Sequence, residues 1–442
     1  MAEIDFSIDW LASESSSPII RDTSGQLAIH LDNTCLTRNV DVWSSTVRDA
    51  VLVSAYPLAL WLASSWWRLN FEPLPQLGVR PSLDWRMAHE LGAANHGYVW
   101  PRIIFAPDGE SINVWAEQIS MEGQSVQYLY GLDAPRAVTL AGFQRKVGGF
   151  IERVITRLQA REHHGTDLAE LWALVRQDQE SPETRRLRIL EAQMGYDPQE
   201  CPEHLIAEAL RLQDSTGADA MSELAPVFGH LDEGKAGFSE VAHLAAQRGI
   251  QGRPQVTAED LGLSAHPKPW EWGVESARTL RAKLGNESGP IANADLYELL
   301  GITEKQVDGW TAPERSAVAI AQPGKGTGFK YVPRKKHPLA KRFEFARLIG
   351  GMLDRSEADR GWLVSTDIAT ARQKRQRSFA AEFLCPIGAL VEYLNGDCSE
   401  SSIEDAAAHF NVSEKTVESL LANHGYLDVS SSMPKVPYRS VA

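Results

Sequence analysis

"HPLAKRFEFARLIGGMLDRS", residues 337–356, and "RQKRQRSFAAEFLCPIGALVEYL", residues 372–394, decide how the chain is read. The first has the apolar spacing of one helix. The second reads as a helix broken at Pro386, because proline ends or kinks a helical run. Both are unusually basic. Residues 325–347 carry Lys325, Lys330, Arg334, Lys335, Lys336, Lys341, Arg342 and Arg347 against a single acid, Glu344. The second stretch adds Arg372, Lys374, Arg375 and Arg377.

That basic character stands out against the rest of the chain. The 442 residues carry a formal net charge of −14, with 43% hydrophobic and 23% charged residues. Such a composition belongs to a globular protein of two or three domains. The acidic balance disfavours non-specific nucleic-acid binding by the whole chain. Residues 1–145 hold nine arginines, no lysine and 16 acids; residues 265–442 hold 23 basic residues against 22 acids. Cys35, Cys201, Cys385 and Cys398 are scattered without a CxxC pair. Their spacing argues against a disulfide scaffold or a cysteine zinc site and fits a reducing, cytoplasmic setting. No signal peptide is expected in the acidic start "MAEIDFSIDW". "VLVSAYPLALWLASSWW", Val51 to Trp67, is interrupted by Pro57 and flanked by charges, so a buried helix is expected rather than a membrane span.

The expected fold class is α+β, predominantly helical. Residues 1–145 read as a Trp-rich α/β domain. A long apolar helix is expected over about Ser44 to Leu69, and a second over "PSLDWRMAHELGAANHG", capped by Ser82 and stopped at Gly97. "YVWPRIIFAPDGESINVWAEQI" reads as a hairpin turning at Pro107-Asp108-Gly109. Residues 146–264 read as a helical connector or bundle, 265–428 as a third domain, and 429–442 as a tail. In the third domain a helix ends at Gly285, another starts near Asn293, and strands "SAVAIAQ" and "FKYVP" flank the loop "PGKGTG". That loop lacks the GxxxxGK[ST] spacing of a P-loop.

Residues 270–427 resemble the ImmA/IrrE-type metallopeptidase domain. The resemblance lies in "ARTLRAKLGNESGPI", two small strands, "KRFEFARLIGGML", "FAAEFLCP" and the helix pair "SIEDAAAHFNVSEKTVESLLANHGYL", in that order. It implies a zincin-like fold and a zinc site built on an HExxH helix, in which ligands at i and i+4 share one face. Carried over residue by residue, the first ligand position is Arg347, the general-base position Leu348, the second ligand position Gly351 and the third Gln373. Arginine stays protonated and cannot ligate zinc. The expectation is therefore a pseudo-peptidase with no metal, no cofactor and no catalytic residues.

In the resembled fold the two basic helices face each other across the cleft. Lys330, Arg334, Lys335, Lys336, Lys341, Arg342, Arg347, Arg372, Lys374, Arg375 and Arg377 are thus candidates for phosphate or nucleic-acid contact. The competing reading pairs them with the acidic first two domains, residues 1–145 and 146–264. Ala407, Asn411 and Val417 follow helix-turn-helix spacing, with Ser402 and Ser413 as expected N-caps. Glu414, Lys415, Glu418 and Ser419 would make a poor base-reading face.

The "HELGA" of residues 89–93 mimics HExxH but carries Ala93 in place of the second histidine. His89 and His96 would lie about 10 Å apart on one helix, too far for one metal ion. His163 and His164 read as helix-end residues.

The functional expectation is a non-catalytic regulatory or binding protein, set in a prokaryotic stress, mobile-element or phage-defence system. A protein partner is expected and no membrane; the oligomeric state is not legible. The alternatives are nucleic-acid binding through the basic cleft, and a hydrolase acting from the N-terminal region.

Overall fold

A computed structural model describes residues 1–75, 80–118, 124–229, 237–262, 266, 268–311, 316–324, 326, 328–355 and 361–427. Lys325 and the expected tail lie outside the described residues. The fold mixes 51% helix with 16% strand in small antiparallel sheets. Its described residues divide into two compact units, the first over Met1–Ile206 and the second over Ala207–Leu427.

In the first unit, strands β1 (Ile4–Trp10), β2 (Ser24–Leu31), β3 (Thr34–Cys35), β4 (Asn39–Asp41), β5 (Thr46–Arg48) and β6 (Val51–Ser54) come first, with helix α1 (Pro18–Asp22) after β1. Helices α2 (Ala55–Ser64), α3 (Trp66–Phe71) and α4 (Leu83–His89) follow. Then come β7 (Arg102–Pro107), β8 (Ser111–Glu117), β9 (Val126–Tyr128), β10 (Arg136–Thr139), α5 (Leu140–Gln159), α6 (Asp167–Glu180) and α7 (Pro182–Gln193). β2 pairs with β1 on one side and with β3 and β6 on the other; β8 lies between β10 and β7, and β4 between β5 and β9. The hairpin is present, with Asp108 Oδ1 accepting from the Ser111 amide at its turn.

The long helix expected from Ser44 does not form. Val51 and Val53 are buried while Leu52 is exposed, the period-two pattern of a strand. Ser54 then caps α2 by accepting from the Tyr56 amide, and Pro57 sits in the first turn. The capping residue and proline mark a helix start that the apolar run conceals. Ser82 does cap α4, accepting from the Trp85 amide, but that helix stops at His89 because Glu90 is extended.

Residues 146–264 are divided between the units. α5 contributes Phe150 and Val154, α6 Leu168 and Trp172, and α7 Ala192 to the first core. Helix α8 (Glu203–Thr216) spans the division. α9 (Ala218–Phe228), α10 (Ser239–Ala246) and β11 (Ile250–Gly252) belong to the second unit.

That unit continues with α11 (Pro269–Lys283), α12 (Asn293–Leu300), α13 (Glu304–Asp308), β12 (Ala319–Pro323), β13 (Phe329–Val332), α14 (Pro338–Leu353) and β14 (Leu363–Ser365). It closes with α15 (Ala371–Leu384), α16 (Ile387–Leu394), α17 (Glu400–Phe410) and α18 (Glu414–Asn423). Its sheet runs β11-β13-β12-β14. α15 packs between α11 and α14, and two glycines permit the approach. A Cβ on Gly273 would stand 2.1 Å from Ser378 Oγ and 2.6 Å from the Arg375 carbonyl oxygen; one on Gly350 would stand 2.9 Å from the Phe379 ring. Asn411 ends α17 in the left-handed conformation (φ 54°, ψ 48°). Ser413 caps α18, whereas α17 is capped by Ser399 rather than Ser402, because the helix starts three residues earlier. Among the described residues no helix is long and apolar enough to cross a membrane.

Candidate functional site

The positions singled out on α14 and α15 meet beside β14. Arg347 points from the middle of α14 and is only 4% exposed. Its Nη2 donates to the side-chain oxygen of Gln373 and to the Thr366 carbonyl. Gln373 is held in turn by both ends of its amide. Oε1 accepts from the Thr366 amide at 2.9 Å, and Nε2 donates to the Val364 carbonyl at 3.0 Å. Gln376, one turn on, also donates to Val364. Leu348 is fully buried in the core. A Cβ on Gly351 would face Gln376 Nε2 at 3.1 Å. The sequence therefore brings Arg347 and Gln373 into contact and leaves Leu348 and Gly351 without chemistry.

Electrostatics around Arg347 are strained. Burial pulls its guanidinium down to about 9, and the charges of Arg377 and Arg334 push the same way. Glu344 and Asp367 oppose the shift, Asp367 from 3.8 Å. Arg347 Nε, Ser365 Oγ, Thr366 Oγ1 and Gln376 Oε1 are buried without a hydrogen-bond partner among the described residues. Below them, Glu223 of α9 is buried and accepts from Thr370 Oγ1 at 2.9 Å. Burial raises the Glu223 carboxyl above its usual range, against the pull of Arg372 and of hydrogen bonds from Thr370 and Gln373. Sequence reasoning missed Glu223 and Asp367, since neither carries a motif.

The other basic candidates are mostly engaged within the second unit. Arg334 binds Glu344 at 2.9 Å and Asp367 at 2.7 Å. Arg342, 2% exposed, donates to Asn293 Oδ1 and the Ile291 carbonyl. Arg372 pairs with Asp219 at 2.6 Å and Arg375 with Asp354 at 2.7 Å. Arg377 donates to the Ile368 carbonyl, and Lys330 to that of Ala245. Lys341 lies over the Trp310 ring. Lys335 and Lys374 are half-buried and Lys336 is exposed. Arg334 and Arg347 share Asp367, while Arg342, Arg372 and Arg375 have separate partners.

"HELGA" has a different role. His89 is fully buried in the first unit, stacked on Trp85 at 4.1 Å between ring centroids. Its Nδ1 lies 2.8 Å from the Phe105 carbonyl oxygen and its Nε2 3.0 Å from Glu72. Arg68 closes the group through Glu72 at 2.7 Å and Asp84 at 2.6 Å. His96 is exposed beyond the helix end. His163 pairs with Asp22 at 2.8 Å. Among the described residues no three His, Cys, Asp or Glu side chains converge to hold a metal ion. The donor set around Arg347 does not fit zinc: a guanidinium, a leucine, a glycine and an amide stand at the four positions.

No protein-family model, curated protein or solved structure matches the chain.

Proposed function

We propose that the chain is a non-catalytic binding and regulatory protein whose second unit is a pseudo-metallopeptidase of ImmA/IrrE type. Such a unit would serve a prokaryotic stress, mobile-element or phage-defence system by holding a protein partner. The observation that carries this reading is the Arg347–Gln373 hydrogen bond. These are the positions the resemblance assigns to the first and third zinc ligands, and they touch, as two ligands of one metal would require. Arg347 stays protonated and cannot ligate zinc, and Leu348 at the general-base position cannot polarise a water. Engagement of Arg334, Arg342 and Arg347 within the unit favours a protein partner over nucleic acid.

Zinc analysis of the full chain tests the proposal. After incubation with zinc and desalting, the protein should retain no stoichiometric metal and hydrolyse no casein. One tightly held zinc per chain, with hydrolysis abolished by a chelator, would overturn it.

A further inference from the structure

In the first unit, among the described residues, β1 is an edge strand along most of its length. Its register with β2 makes Glu3 and Leu11 hydrogen-bonded positions, since Glu3 accepts from Asp32 and Leu11 donates to Ser24. Residues of the same parity face β2, so the backbone groups of Phe6, Ile8 and Trp10 face away from it. Two devices cover part of this edge. The Ala2 amide donates to Ala137, and Arg153 donates to the Phe6 carbonyl. Beyond Phe6 the edge opens into a groove of about 420 Å³.

One wall of the groove is Ile8 and Trp10; the other is a single face of α5 that includes Gly149, Arg153, Thr156 and Arg157. Gly149 widens it, since a Cβ there would meet nothing within 4 Å. The Arg157 guanidinium lies 5.3 Å from the Trp10 ring centre and is anchored by its Nε to the Asp22 carbonyl. Burial and the charge of Arg161 pull Arg157 below the usual guanidinium range, against the opposing charge of Asp22. Glu152, the acid in the lining, is paired with Arg176 at 3.2 Å. An open strand edge roofed by a helix is the geometry by which folded domains take up an extended peptide as an added strand.

We propose that this groove binds an extended acidic peptide segment of a partner protein. The segment pairs its backbone with β1 at Ile8 and Trp10 and sets a carboxylate against Arg153 and Arg157. This concerns the first unit and does not rest on the reading of the second.

The probe is a displayed library of random heptapeptides, panned in parallel on the full chain and on its Gly149→Leu variant. Leucine at that helix position fills the groove and favours the helix. The wild-type chain should enrich Asp- and Glu-containing, proline-free sequences that the variant does not. The best peptide, synthesised and labelled, should bind Gly149→Leu and Arg157→Glu at least about tenfold more weakly, a loss of about 1.4 kcal/mol. Amide exchange at Ile8 and Trp10 should slow in its complex. Equal enrichment on both chains, enrichment of neutral or basic peptides, or binding unaffected by either variant overturns the proposal. So does a wild-type dimer that Gly149→Leu makes monomeric, which would identify the occupant as a second copy.

Discussion

Replacing Arg347 by methionine should stabilise the second unit, although it deletes two hydrogen bonds. Burial lowers this guanidinium to about 9. Relative to an ordinary arginine, the charged form is penalised by on the order of 5 kcal/mol at neutral pH. Methionine removes the penalty and keeps the unbranched shape. It also leaves the Thr366 carbonyl and Gln373 Oε1 with one donor fewer, at a cost of about 1–1.5 kcal/mol each. The balance is a gain of about 2 kcal/mol. The gain depends on pH with a definite sign. Below pH 9 both folded and unfolded guanidinium groups are charged, and the folded chain carries the full penalty. Above it the folded group loses its proton first, so the wild-type chain recovers about 1.4 kcal/mol relative to the variant by pH 10. Two units need not unfold together, so the measurement is amide exchange in α14 and α15 of both proteins at pH 7 and pH 10. A loss of about 3–5 kcal/mol on substitution would refute the reasoning, because it would mark a fully compensated charge whose partners are left exposed to burial.

Two further perturbations probe the packing beneath each unit. Glu72→Gln should cost the first unit about 3 kcal/mol by stripping Arg68 and His89 of their shared anion. Burial works to raise the Glu72 carboxyl, but His89 and Arg68 outweigh it and hold it below the usual range. Its stabilisation is complete above the ordinary glutamate range and lost as pH falls through the lowered value. Acid titration of tryptophan fluorescence should therefore show an unfolding limb in the wild-type chain that Glu72→Gln lacks; identical limbs would exclude Glu72 as the acid-sensitive group. Gly350→Ala should destabilise α15 by about 1 kcal/mol, since overpacking against Phe379 costs about 1–3 kcal/mol and helix propensity returns up to about 1. Slower amide exchange across α15 in the variant would contradict the close-approach argument.

The sequence was most informative where local chemistry decides the outcome. Ser82, Ser413 and Asn411 sit where capping and left-handed preferences place them, and Pro386 separates α15 from α16. It misled where an apolar run hid a change of period, as at Val51–Ser54 followed by α2. The candidate site was half legible. That Arg347 and Gln373 stand together followed from the resemblance. That Arg334 is held by both Glu344 and Asp367, Arg372 by Asp219 and Arg375 by Asp354 did not, because these partners are set by how the chain packs. Basic residues in a linear stretch look like one patch; on a helix, successive side chains point to different neighbours.

Gln373 explains why a site of this kind, once changed, would not readily change back. On the proposed reading its position belonged to a carboxylate ligand. A carboxylate accepts hydrogen bonds and cannot donate them when ionised. The amide does both: its oxygen receives Arg347 and the Thr366 amide, while its nitrogen reaches the Val364 carbonyl. One side chain thereby ties α14, the end of β14 and α15 together. Glutamate at 373 would satisfy Arg347 but set a negative oxygen against the Val364 carbonyl. Histidine at 347 would leave Thr366 without its guanidinium. Each single step toward a zinc site breaks a buried contact before any metal could compensate for it. The arginine is thus costly as a charge yet difficult to replace by the residues zinc needs, whereas methionine gives up the same two contacts but sheds the buried charge without bringing in another polar group.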